Sequence, residues 1–170
     1  LNILGDFKDI QSTLKTQINK TKLVDGEGSI VQENFDITAP DTILLQGVLE
    51  SGAVASVTMR TSAEPVDNTG FRWIISGTKG ELELTSDPGI FHWGPTGLKL
   101  KLREFGGEAK EIDFNSGETE HVSQVSYSGQ NVARVYEAFA KGEEDGYATL
   151  DAALKVHRVL EKAKLNSVWA

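Results

Sequence analysis

The chain has 170 residues, no cysteine and a formal net charge of −8. That length fits one domain, and 39% hydrophobic with 25% charged residues supports a folded core rather than disorder. The acidic balance argues against a nucleic-acid or anionic-membrane partner, the missing cysteines exclude disulfides and thiolate metal sites, and no stretch reaches the ~18 apolar residues of a membrane span.

The chain opens on Leu1, Ile3 and Leu4 followed by Gly5, the pattern of a last helical turn with its terminal glycine. A lone turn does not nucleate, so further sequence is expected upstream. Between Lys8 and Lys20 the residues alternate, with Ile10, Leu14 and Ile18 on one side and Asp9, Gln11, Lys15 and Gln17 on the other. This predicts a long half-buried strand. Gly26-Glu27-Gly28 then leads into an extended piece near Ile30–Ile37.

A hairpin is predicted over Asp41–Glu50 and Ala53–Arg60 around the two-residue turn Ser51-Gly52. That register sets Leu49 against Val54, Val48 against Ala55, Gln46 against Val57 and Leu44 against Met59. Both faces then come out substantially apolar, whereas a half-solvated sheet shows one polar face. A second hairpin, Phe71–Ser76 with Glu81–Thr85, turns at Gly77-Thr78-Lys79-Gly80. Strands are also expected at Ile90–Trp93, Gly97–Glu104 and Ala109–Phe114. In Gly97–Glu104, Lys99, Lys101 and Arg103 alternate with leucines as a solvated strand face.

The period then lengthens. Ser128 is a candidate cap for a helix carrying Val132, Val135, Tyr136 and Phe139, ending at Gly142. Thr149 is a candidate cap for a second, running to about Asn166 with Leu150, Ala153, Leu154, His157, Leu160 and Ala163 on one side. The fold class is therefore α+β: an open, mainly antiparallel sheet of about eight strands with helices on one face. Two short helices cover one face only, so the other is expected to meet a second copy or another domain.

Catalytic motifs are missing from the local sequence. Gly26-Glu27-Gly28 lacks the third glycine, the preceding apolar strand and the following helix of a dinucleotide fingerprint. Gly77-Thr78-Lys79-Gly80 has neither the spacing nor the helix of a phosphate loop. His92, His121 and His157 are too dispersed for a local metal motif; His157 reads as a packed side chain and His121 as exposed. Glu143-Glu144-Asp145 reads as a solvated loop. Arg60, Arg72, Trp73 and His92 are the substrate-side candidates. An arginine on a central strand must find an anion or reach solvent, and for both arginines structural pairing is the simpler reading.

Three segments together resemble the C-terminal domain of the Gfo/Idh/MocA oxidoreductase family. They are Leu4-Gly5-Asp6-Phe7, the Phe71–Leu84 hairpin containing Gly77-Thr78-Lys79-Gly80, and Asn131 to Ser167 with its Ala133-Arg134-Val135-Tyr136 run. The details are most similar to fungal members, including the galactose-pathway repressor branch, whose members regulate transcription. The resemblance implies a dihydrodipicolinate-reductase-like or glyceraldehyde-3-phosphate-dehydrogenase-like C-terminal domain spanning 1–170, whose open sheet face commonly packs on a second subunit. It also implies a separate N-terminal Rossmann domain that holds NAD or NADP in the full-length parent, with the catalytic histidine before Leu1. On this reading the chain itself holds no catalytic, cofactor-binding or metal residue and is inactive alone. The parent is expected to be cytoplasmic and to act on a sugar or polyol-like alcohol; a non-enzymatic regulator of the same architecture is the alternative.

Overall fold

The computed structural model describes residues 3–61, 65–89, 96–113 and 117–170. The chain divides into two compact units, Leu1–Thr61 with Thr149–Ala170, and Ser62–Ala148.

The first unit holds strands β1 (Phe7–Lys15), β2 (Lys20–Val24), β3 (Ile30–Asp36), β4 (Thr42–Leu49) and β5 (Val54–Arg60). Helix α3 (Leu150–Leu165) and strand β10 (Ser167–Trp169) complete it. Its main sheet has the order β10-β1-β4-β5, antiparallel except where β10 runs parallel to β1. The alternation read along β1 is real: Ile10, Ser12 and Leu14 are buried while Asp9, Gln11 and Lys15 are exposed. Helix α3 covers that buried row, and the Ser12 hydroxyl donates to the Ala163 carbonyl, so its burial costs no unmet hydrogen bond. The cap at Thr149 is as read from sequence, its side chain accepting from the Ala152 N–H at 3.2 Å. The helix presents Ala163 to the sheet, while Leu150, Leu154 and Leu160 stay exposed. His157, expected to be packed, is exposed too.

The expected long strand from Lys8 to Lys20 ends at Lys15, and β2 begins only at Lys20. The carboxylate of Asp41 accepts the backbone N–H groups of Gln17 and Ile18 at 3.0 and 2.6 Å. Those donors are thereby taken from any ladder, β1 stops at Lys15, and Ile18 lies exposed. Among the described residues, strands β2 and β3 pair only with each other, and both are exposed throughout.

The second unit contains β6 (Phe71–Ser76), β7 (Gly80–Ser86), β8 (Lys99–Glu104) and β9 (Lys110–Ile112), a sequential antiparallel sheet. Two helices follow, α1 (Glu120–Ser123) and α2 (Tyr127–Lys141), then a 3-10 turn at Glu144–Gly146. Helix α2 has its N-cap at Ser126, two positions before the expected Ser128, and ends as read at Gly142, whose φ of 72° is the left-handed terminator. Its buried residue is Ala138, whereas Val132, Val135, Tyr136 and Phe139 are exposed. The edge-to-face pair Phe139–Tyr147, at 5.6 Å, ties the helix end to the following turn.

The mixed, mainly antiparallel α and β content agrees with the sequence reading. The sheet arrangement differs from it: instead of one sheet of about eight strands, the described residues form ten strands in sheets of four, two and four. The expected strand at Ile90–Trp93 lies outside the described residues.

The register of the first hairpin is also corrected. Val48 pairs with Val54, Gly47 with Ala55, Gln46 with Ser56, and Leu44 with Thr58. The loop has three residues rather than two: the Leu49 N–H donates to the Ala53 carbonyl at 2.8 Å, and Gly52 has a φ of 87°. A three-residue hairpin loop closing on a left-handed glycine is the common alternative to the two-residue turn. Moving one strand by one residue transfers its side chains to the other face. One face therefore carries Ile43, Leu45, Leu49, Ala55, Val57 and Met59. The other is mixed rather than apolar.

Candidate functional site

The mixed face of the first sheet, opposite α3, is the most developed candidate surface. Registers of β1, β4 and β5 fix it as four rows. Asp9, Val48 and Val54 form the first, and Gln11, Gln46 and Ser56 the second. Thr13, Leu44 and Thr58 form the third, and Lys15, Thr42 and Arg60 the fourth. At ~3.4 Å per residue the outer rows lie about 20 Å apart. The two middle rows floor an open hollow of about 690 Å³. Five of their six side chains are neutral hydrogen-bonding groups. Leu44, Val48 and Val54 are 47%, 40% and 82% exposed.

Charge is divided along this face. Asp9 sits at one end and accepts the N–H of Ile10. Lys15 and Arg60 sit at the other, and among the described residues none of these three side chains forms a salt bridge. Elsewhere in the unit Asp6 pairs with Lys155, and that hydrogen bond and charge raise the lysine pKa. The N–H groups of Ile18 and Gln17 hold the Asp41 carboxyl below its ordinary range.

The helix side of the same unit has a smaller apolar cavity of about 440 Å³, bounded by Leu14, Pro40, Ile43, Leu45, Leu160 and Trp169.

Of the four sequence candidates, Arg60 belongs to the first unit and Arg72 and Trp73 to the second. Arg60 ends β5 on the mixed face. Arg72 reaches the carboxylates of Asp67 at 3.1 Å and Glu83 at 3.4 Å, the structural pairing read as the simpler alternative. Its charge and the Thr69 N–H, the larger cause, lower the Asp67 pKa. Trp73 is the next residue along β6, so it points to the opposite face, where it is half-buried opposite Leu84. His92 lies outside the described residues. The neutral row Gln11, Gln46 and Ser56 was missed from sequence because the two-residue turn put Gln46 opposite Val57.

Neither glycine loop fits a dinucleotide. Gly26-Glu27-Gly28 turns β2 into β3, with the Gly28 N–H donating to Asp25 and no helix following. Gly77 and Gly80 close the β6–β7 hairpin. A pyrophosphate site needs such glycines at a strand-to-helix junction, where helix N–H groups converge. Among the described residues, no three His, Asp or Glu side chains gather as metal ligands. No described helix is long and apolar enough to cross a membrane.

The fold is that of the C-terminal domain of Gfo/Idh/MocA-type oxidoreductases and of Gal80p. An aldose-aldose oxidoreductase from Caulobacter crescentus, crystallised with glycerol, superposes with a TM-score of 0.56 at 19% identity, over 92% of this chain and 38% of that one. A super-repressor mutant of Gal80p from Saccharomyces cerevisiae gives 0.69 at 21% identity, over 95% of this chain and 42% of that one. Within this class the chain belongs to the family described as Gal80p, C-terminal domain, which matches residues 1–86.

Two curated relatives differ in kind. Dehydrogenase aclE of Aspergillus oryzae is 25% identical over 159 residues, 94% of this chain and 40% of its own length. The galactose/lactose metabolism regulatory protein GAL80 of Kluyveromyces lactis is 32% identical over 86 residues, 49% of this chain and 19% of its own length. The chain thus spans less than half of either relative.

Proposed function

We propose that the chain is the C-terminal substrate-binding and oligomerisation domain of a cytoplasmic NAD(P)-dependent oxidoreductase acting on a sugar or polyol-like alcohol. The mixed face of the first sheet carries this reading. Its bare Leu44, Val48 and Val54 favour burial against protein, and a second copy is the partner proposed. The dehydrogenase match, running over 94% of the chain, supports the oxidoreductase side.

In this division of labour the chain's own side chains bind and orient the alcohol. NAD or NADP, held elsewhere in the parent, would supply the hydride acceptor. Arg60, Arg72, Trp73 and His92 remain the proposed substrate-side residues. A guanidinium donates to hydroxyl oxygens, and the indole of Trp73 offers an apolar face to the C–H side of a sugar ring.

A second reading is a non-enzymatic regulator that presents this surface to a protein. The 32% identity to GAL80 over the first half favours it.

Calorimetry of the chain with NAD and NADP, paired with ligand-observed NMR against a panel of sugars and polyols, tests the first reading. No dinucleotide heat and a weak polyol signal lost in Trp73→Ala are expected. Micromolar dinucleotide binding would contradict the assigned division of labour. Absence of any polyol signal would contradict the substrate role and favour the regulator.

A further inference from the structure

We infer that the β2–β3 hairpin is an arm that opens independently of the first sheet, and that the Asp41 carboxylate is the lock holding it shut. Little else holds the hairpin. Among the described residues its strands pair only with each other, every position in both is exposed, and Leu23, Val24, Ile30, Val31 and Phe35 are bare. The register slips twice, between Thr21 and Leu23 and between Leu23 and Val24. The ion pairs Lys20–Asp36 and Lys22–Glu33 lie in solvent, where such pairs add little. A two-stranded hairpin standing alone is at best marginal in water.

The fastening lies at the neck of the arm, residues 16–19 and 37–41. Asp41 belongs to the sheet through its backbone. Its N–H donates to the Lys15 carbonyl at 3.1 Å, and its carbonyl accepts the Thr61 N–H at 3.0 Å. Its side chain belongs to the arm. One carboxylate oxygen accepts the Gln17 N–H at 3.0 Å and the other the Ile18 N–H at 2.6 Å. A single residue thus ties the departing chain to the sheet.

The other ties at the neck are neutral. The Thr16 hydroxyl donates to the Ala39 carbonyl at 3.1 Å and the Ile37 N–H to the Asn19 carbonyl at 3.0 Å, which joins the two neck segments to each other. The Gln17 amide reaches the Thr42 hydroxyl at 3.2 Å, and that hydroxyl itself donates to Asp41. Hydrogen bonds to an ionised group are roughly twice as strong as neutral ones, so the carboxylate is the strongest of these ties. It needs both oxygens. An asparagine has one acceptor oxygen and an NH2 group, so Asp41→Asn leaves one of the two backbone donors facing another donor.

Amide hydrogen exchange of the native chain and of Asp41→Asn, followed in rising urea below the unfolding transition, tests both halves. In the native chain the paired amides of β2 and β3 are expected to exchange through an opening that urea scarcely changes, because it exposes little surface. Those of β1 and β4 should exchange more slowly and with a steep urea dependence. Asp41→Asn is expected to speed the arm amides by about tenfold or more, the worth of a hydrogen bond to a charged group, and to keep their shallow urea dependence. Arm and sheet amides that follow one steep dependence would overturn the independent opening. Arm amides already unprotected in the native chain, or unmoved by Asp41→Asn, would overturn the lock. Loss of the folded sheet in Asp41→Asn would overturn it too, since a lock confined to the arm leaves β1, β4 and β5 folded.

Discussion

At Gly47 the backbone of β1 comes so close to β4 that a methyl group would collide with the Asp9 carbonyl oxygen. The pairing of β1 with β4 shifts just there, between Phe7 and Asp9. Gly47→Ala is therefore expected to destabilise the fold by about 1–3 kcal/mol, the usual cost of overfilling a packed site, read as a lower urea midpoint. Asp41 works through charge rather than space. Its carboxylate takes the Ile18 and Gln17 N–H groups and the Thr42 hydroxyl, and its folded pKa lies below the ordinary value. A lowered folded pKa stabilises fully above the unfolded value, ~3.9, and the benefit vanishes as pH falls through the folded one. Asp41→Asn should thus be less stable than the native chain at about pH 7, with the gap closing below ~pH 4 in urea titrations. A gap that does not narrow in acid would remove the ionised carboxylate from the account.

Helix ends were readable because they depend on chemistry within a few residues. Thr149 bonds to Ala152 at the start of α3, and Gly142 closes α2 in the left-handed region. Thr149→Ala should cost about 1 kcal/mol, as N-cap removals usually do, with lower helicity near the melting midpoint; unchanged stability would mean that another group caps α3. Sheet partners were less readable. Glu50-Ser51-Gly52 serves a two- or a three-residue loop equally well by composition, and the choice decides which side chains face α3. The short strands β2 and β10 carry too few residues to show a period, and α1 is a single turn. The candidate surface suffered most, since Gln46 and Ser56 become neighbours of Gln11 only in the correct register.

For the whole molecule the first conclusion from sequence was a lack: no catalytic or cofactor constellation. The family match covers residues 1–86, and both curated relatives extend well beyond this chain; that the catalytic and cofactor parts lie outside it belongs to the proposal. The second conclusion, an uncovered sheet face, changed its basis. It was derived from two apolar faces, whereas the actual open face is mixed, with Leu44, Val48 and Val54 among amides and hydroxyls. Such composition is typical of contacts between separately folded copies. Sedimentation of the native chain and of Leu44→Asp over a concentration series tests this most directly. The account predicts that the native chain dimerises and that Leu44→Asp is monomeric with an unchanged circular dichroism spectrum. Equal self-association of both chains, or a native monomer at the highest concentration, would contradict it.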